Sequence, residues 1–172
     1  MLGAIFALPP EDEAAYSCLP RKDALAIQPA YARFQEYLGQ KFYGTVCCKL
    51  GGSNTAAAFS AAAMSGHMII VADPAGGAVP EITHSTYYIN DLPAAPIALA
   101  NEFGEVMLLE NIKDDLRVET TVRAMSIVSR NDIAVIDHVL QVKRYQKCVD
   151  TGHSHAGPDH GTRAPRGISH GR

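Results

Sequence analysis

The sequence predicts an α/β fold, with a mainly parallel sheet flanked by helices and one antiparallel hairpin. Three observations predict it. Short apolar runs at 42–49, 68–72 and 132–136 alternate with stretches of helical periodicity at 30–38, 55–65 and 113–129. A glycine turn, Leu50-Gly51-Gly52-Ser53-Asn54, leads from the first of these strands into a helix. Pro96 to Ala100 and Glu105 to Glu110 flank Asn101-Glu102-Phe103-Gly104, the pattern of a hairpin.

Each element has its own justification. Residues 1–8 read as a short apolar strand stopped by Pro9-Pro10, and 11–27 as a loop-rich stretch. Tyr31, Phe34, Tyr37 and Leu38 recur at helical spacing, and Gly39 suits the left-handed residue that closes a helix. Phe42 to Lys49 reads as a strand. Thr55 to Ser65 is alanine-rich and ends at Gly66, and Ser53 or Asn54 is an expected N-cap. The unbroken apolar run Met68 to Ala72 predicts a strand buried on both faces. Thr86 to Ile89 (TYYI) is a short β-prone run. Lys113 to Ser129 carries Leu116, Val118, Val122, Met125, Ile127 and Val128 as its apolar stripe, with Asp114 and Asp115 favourably placed in the first turn. Asp132 to Ile136 is a further strand. Asp137 to Val149 is a last helix with Val139, Leu140, Val142 and Tyr145 inward. Residues 1–150 therefore make one domain. Residues 151–172 are rich in Gly, His and Arg with Ile168 as their one aliphatic residue beyond alanine, and they predict a disordered tail.

Composition narrows the function classes. The chain has 172 residues, 47% hydrophobic and 19% charged, enough for a sizeable core. Its formal net charge is -3, so it lacks the basic footprint of a nucleic-acid binder. No apolar run approaches the roughly 20 residues of a membrane helix. The start, MLGAIFALPPEDE, lacks the basic segment of a secretory leader. Cys18, Cys47, Cys48 and Cys148 form no CxxC pair, and adjacent Cys47 and Cys48 face opposite sides of a strand. Reduced, mostly buried thiols and a cytoplasmic location are expected.

Ligands of parallel α/β sheets bind beyond the carboxyl ends of the strands. Two loops qualify. Gly51, Gly52, Ser53 and Asn54 let the backbone approach a ligand, and the helix that follows offers free N–H groups. The Gly-Lys-Ser/Thr ending of a phosphate loop is missing. A plain strand-to-helix turn has the same composition. The second loop, VADPAGGAVPE, places Asp73 after a strand, with Gly76, Gly77, Glu81 and then His84. Asp, Glu and His are side chains that move protons and ligate metals. The expected catalytic residues are Asp73, Glu81 and His84. The expected ligand-binding positions are Gly51, Gly52, Ser53, Asn54, Gly76 and Gly77. Turn stabilisation explains the same loop carboxylates. The residue pattern selects no cofactor or metal.

The stretch LGGSNTAAAFSAAAMSGHMIIVADPAGGAVPEI resembles the N-terminal domain of the S-methyl thiohydantoin desulfurase-like family. The matching positions are Gly51, Gly52 and Asn54, then Asp73, Gly76, Ala78, Pro80 and Glu81. APIALANEFGEVMLLE and the helix with Arg123-Ala124 are also similar to it. The resemblance spans roughly residues 1–150 and is most specific over 50–110. It implies a hydrolase-like activity on a small cyclic amide or S-methyl thiohydantoin, removing a methylthio group. A non-catalytic small-ligand-binding or assembly domain is the alternative. Family members usually carry an earlier glycine-rich segment, a second C-terminal domain, and Arg where this chain has Gly77. The chain therefore reads as a truncated member. Its expected partners are a small-molecule substrate and either further copies of itself or a C-terminal domain.

Overall fold

The computed structural model describes residues 19–20, 26–77 and 81–146. The strand expected at 1–8 and the tail expected at 151–172 lie outside them. Helix α1 spans Ile27–Leu38 and buries Ile27, Ala30, Tyr31 and Phe34, spaced i, i+3, i+4, i+7 on one face. Gly39 closes it at φ 63°, its N–H donating to the Glu36 carbonyl at 3.2 Å.

Strand β1 (Gly44–Val46), helix α2 (Gly52–Ser65) and strand β2 (Met68–Ile70) form a strand–helix–strand unit. Its strands pair in parallel, Gly44 opposite Met68 and Val46 opposite Ile70. A Cβ at Gly44 would stand 2.9 Å from the Met68 carbonyl oxygen, so this close approach requires glycine. The N-cap of α2 is Gly51, not Ser53 or Asn54, which lie inside the first turn. Gly51 instead bonds Thr55 twice: its N–H donates to the Thr55 hydroxyl at 3.1 Å, and its carbonyl accepts from the Thr55 N–H at 2.9 Å. Strand β2 is not buried on both faces. Its sheet has two strands, and Val71, just past its end, is 74% exposed.

The chain then makes a 3₁₀ turn at Ile82–His84 and a one-turn helix, α3 (Thr86–Ile89). TYYI is thus helical. The Ser85 hydroxyl accepts from the Tyr88 N–H at 3.3 Å, and this cap outweighs the β propensity of four residues. Strands β3 (Ile97–Asn101) and β4 (Val106–Leu109) form the expected hairpin, Ile97 opposite Leu109. Helix α4 (Asp115–Val128) follows, capped by Asp114, whose carboxylate accepts from the Arg117 N–H at 2.9 Å. Strand β5 (Ile133–Ile136) completes a three-stranded sheet of order β4-β3-β5. Residues 142–146 are helical. No helix among the described residues is long and apolar enough to cross a membrane.

The α/β class stands, but the mainly parallel sheet does not. Only β1 and β2 pair in parallel, while β3 runs antiparallel to both β4 and β5. The physical reason lies in the hairpin. Strands β4 and β5, joined through α4, do point the same way, since each opposes β3. The hairpin folds β3 into the position between them, so every ladder in that sheet becomes antiparallel.

β3 is buried along its whole length. Its alternate residues feed two helices. Ala98 and Ala100 pack with Ala30 and Phe34 of α1, and Ile97 and Leu99 pack with Val118 and Val122 of α4. Leu116, Ile127 and Val128 of the expected α4 stripe are exposed instead, because the helix touches the sheet along a narrower face. Beyond β5, Leu140 and Tyr145 turn inward against Tyr87 and Leu92, whereas Val139 and Val142 stay exposed.

Asn101 locks the hairpin. Its side-chain oxygen accepts from the N–H groups of Phe103 and Glu105 at 3.2 and 3.1 Å. Its amide nitrogen donates to Glu105 Oε2 at 2.5 Å and Ser129 Oγ at 3.1 Å. Replacing Asn101 by Ala unmakes all of these inside a site 1% exposed. It should cost about 2–3 kcal/mol in urea unfolding. A loss below about 0.5 kcal/mol would show that the turn is held elsewhere.

Candidate functional site

The carboxyl ends of β1 and β5 open onto one cleft of about 1070 Å³, counted to its open mouth. Five more segments complete its wall: α1 through Ile27 and Tyr31, the N-terminal half of α2, the loop after β2, the stretch from Glu81 to Tyr87, and α4. Tyr31 ties the two sheets together above it, its hydroxyl 3.0 Å from the Thr45 hydroxyl. Burial pushes the Tyr31 phenol up, and the Thr45 contact works the other way. The ring also packs edge-on against Phe42 at 4.8 Å.

Of the residues selected from sequence, Glu81 and Asn54 line this cleft. Gly51, Gly52, Ser53, Asp73, Gly76, Gly77 and His84 are not among its lining residues. Asp73 shapes the loop beside it: its carboxylate accepts from the Ala75 N–H at 3.2 Å, and its carbonyl accepts from the Gly76 N–H at 3.2 Å. Gly77 sits at φ 136°, a backbone state side chains rarely adopt, though a Cβ there would meet nothing within 4 Å. Backbone conformation, not space, therefore favours glycine at this position. His84 is exposed, its Nδ1 3.4 Å from the Thr83 hydroxyl.

The polar centre of the cleft comes from residues the sequence reading passed over: Glu119, Asp137 and His138. His138 follows β5 at φ 47°, where its N–H donates to the Ala94 carbonyl at 3.1 Å. Its imidazole stacks on Tyr87 with centroids 4.4 Å apart, and its Nδ1 lies 3.0 Å from Asp137 Oδ1. An ionised carboxylate only accepts, so Nδ1 carries the proton in this pair and a neutral ring keeps its lone pair on Nε2. That Nε2 is buried without a hydrogen-bond partner, and so is Asn54 Oδ1. Two unsatisfied acceptors thus belong to the wall of one cleft.

Glu119 is buried on α4. Its Oε2 accepts from the Ile82 N–H at 3.2 Å, and its Oε1 pairs with Arg123 Nη2 at 2.6 Å. One carboxylate therefore clamps the segment that carries Glu81 and Ser85 onto α4. A signal for Asp137 and His138 was present: they directly follow an apolar strand, the same placement that selected Asp73. Glu119 carried no such signal, because its position reads as one polar residue on an amphipathic helix. Among the described residues, no three His, Cys, Asp or Glu side chains are placed to hold a metal ion.

The cysteines differ. Cys47 is buried, and its thiol donates to the Ala72 carbonyl at 3.4 Å. Burial pushes this thiol up, and the Asp73 carboxylate adds to the rise. Cys48 is exposed, against the expectation of mostly buried thiols. In peptide-resolved alkylation with iodoacetamide, Cys48 should label first near pH 8. Cys47 should label more slowly, and both should gain rate as pH rises, because the Cys48 thiol is pushed up too, by burial and the Asp137 carboxylate, and the thiolate is the nucleophile. Equal rates at both positions would contradict this burial.

Comparison with known proteins places these elements. The family model described as S-Me-THD-like, N-terminal domain, matches residues 15–111. That span contains the strand–helix–strand unit, the 73–84 loop and the hairpin, while Glu119, Asp137 and His138 lie beyond it. The chain is also similar to the crystal structure of a protein from Chromobacterium violaceum, with 28% identity and a TM-score of 0.51. The match covers 63% of this chain and 30% of that one, so it spans less than a third of that protein's length. No curated protein matches.

Proposed function

We propose a function from the premise that the chain belongs to the S-Me-THD-like N-terminal domain family: its cleft binds a small cyclic amide of the S-methyl thiohydantoin type for a hydrolase-like reaction. The observation that carries this reading is the His138 imidazole, which belongs to the wall of the cleft, lies 3.0 Å from Asp137 and keeps a buried, unpartnered Nε2. A neutral imidazole oriented by a carboxylate is the arrangement of a general base.

In the proposed reaction, water attacks the ring carbon that bears the methylthio group. His138 takes the proton as the carbon–oxygen bond forms. The carbon–sulfur bond then breaks, the proton passes to sulfur, and methanethiol leaves a hydantoin ring. Glu81, exposed at the mouth, orients the water or a ring N–H. The Asn54 side chain hydrogen-bonds the ring. Asp73 and Glu119 act indirectly, by shaping the loop after β2 and holding the 81–85 segment. His84, Gly51, Gly52, Ser53, Gly76 and Gly77 remain candidate contacts for parts of a ligand that reach outside the cleft.

Methanethiol release from a simple S-methyl thiohydantoin, followed by gas chromatography, tests the reading. The wild-type chain should release it. His138→Gln should slow release by about 10²–10⁴-fold, the usual contribution of a general base. Glu81→Gln should raise KM more than it lowers kcat. Absence of both turnover and ligand-induced thermal stabilisation in the wild type would refute the proposal, as would unchanged turnover in His138→Gln.

A further inference from the structure

Resting on the reading of the cleft as a cyclic-amide site, we infer that the ring it takes carries an apolar, preferentially aromatic, side chain, which lies in an adjoining second cleft. This second cleft is open, with about 840 Å³ of space when the solvent at its mouth is included. Thr45, Cys48, Tyr87, Asp137 and His138 belong to the walls of both clefts. A group bonded beside His138 in the first is therefore one side chain away from the second.

Both walls are mainly apolar, and what is sorted between the clefts is charge. The residues that line only the first cleft include Lys49, Glu81, Glu119 and Asn54. Among the described residues, those that line only the second carry no charge: Phe42, Tyr43, Val139, Leu140, Val142 and Tyr145 are its main side chains. Tyr43, Val139 and Val142 are large apolar groups left exposed, Tyr43 at 65%. Water-facing apolar side chains gathered around a concave surface mark a binding region. A ligand with a polar ring at one end and an apolar substituent at the other matches this division. A cyclic amide built on a hydrophobic amino acid has that shape, with the substituent on the ring carbon next to a carbonyl.

The Tyr87 ring gives the division a physical hinge. It stacks on the His138 imidazole at 4.4 Å and lies 6.4 Å from the Tyr145 ring. The same aromatic surface therefore backs the proposed base on one side and meets the apolar wall on the other. A side chain seated there would also cover His138 from water, and exclusion of water strengthens the electrostatic contacts inside such a site.

The test is titration calorimetry of the full chain with hydantoin and with 5-benzylhydantoin. The benzyl ligand should bind on the order of tenfold tighter or more, the range by which apolar groups are distinguished in such pockets. Tyr43→Ala and Val142→Ser alter exposed positions and should leave the fold intact, which thermal melts would check. In each, the affinity ratio of the two ligands should fall by about threefold or more. If hydantoin binds and the benzyl group adds nothing, this inference fails while the cyclic-amide reading stands. If the benzyl ligand binds tighter but neither variant changes the ratio, the second cleft is not where the side chain sits. If neither ligand binds, the reading of the first cleft fails and takes this inference with it.

Discussion

Everything else in the structure hangs on the two-sided burial of β3. A strand presents alternate residues to opposite faces, so a central strand must satisfy two neighbours with one short sequence. Ile97-Ala98-Leu99-Ala100 does this by size. The small Ala98 and Ala100 admit α1 with its Phe34, and the large Ile97 and Leu99 fill the space under α4. Exchange of the two sets would push α1 away from the sheet and leave a void under α4. Such a void is costly because interiors pack at crystal-like density.

The position of α1 in turn sets the position of the second, two-stranded sheet. Tyr31 is the link, packed with Ile27, Ala61 and Ala134 below and bonded to Thr45 of β1 at 3.0 Å. Ala134 lies on β5 and Ala61 on α2, so one aromatic ring touches both sheets' supporting elements. The carboxyl ends of β1 and β5 are thereby brought to the same cleft. Neither strand unit by itself contains the site. A cleft between two sheets, roofed by the loops that leave their ends, is where parallel strand units ordinarily gather their ligands.

The polar groups of that cleft carry a stability cost. A buried acceptor without a partner costs about 1–3 kcal/mol, and both His138 Nε2 and Asn54 Oδ1 are in that condition. His138 additionally holds a left-handed backbone angle, a region that glycine ordinarily occupies. Deficits of this kind concentrate where a ligand completes the hydrogen bonding. Around them, Glu119 accepts from the Ile82 N–H of the approach segment, Asp137 lies 3.0 Å from the ring nitrogen, and Tyr87 stacks on the ring.

Local signals were legible from the residues because they act over a few positions. The i, i+3, i+4, i+7 spacing in α1, the Gly39 and Gly66 caps, the acidic start of α4 and the Asn101–Gly104 turn depend on near neighbours alone. So does the membership of the strand–helix–strand segment, whose motif is contiguous in the chain. Two things required the tertiary structure. Strand neighbours were one: the direction of β5 relative to β4 could be inferred from the helix between them, but not that β3 would insert and reverse both ladders. The other was the site itself. Asn54, Glu81, Glu119 and Asp137-His138 lie on four separate segments, and no spacing rule relates them. Their chemistry becomes shared only because Ala98 and Ala100 let α1 close on the sheet and Tyr31 fastens β1 beside β5. Sequence determines which short segments form by local backbone energetics, whereas long-range packing decides which side chains face one another.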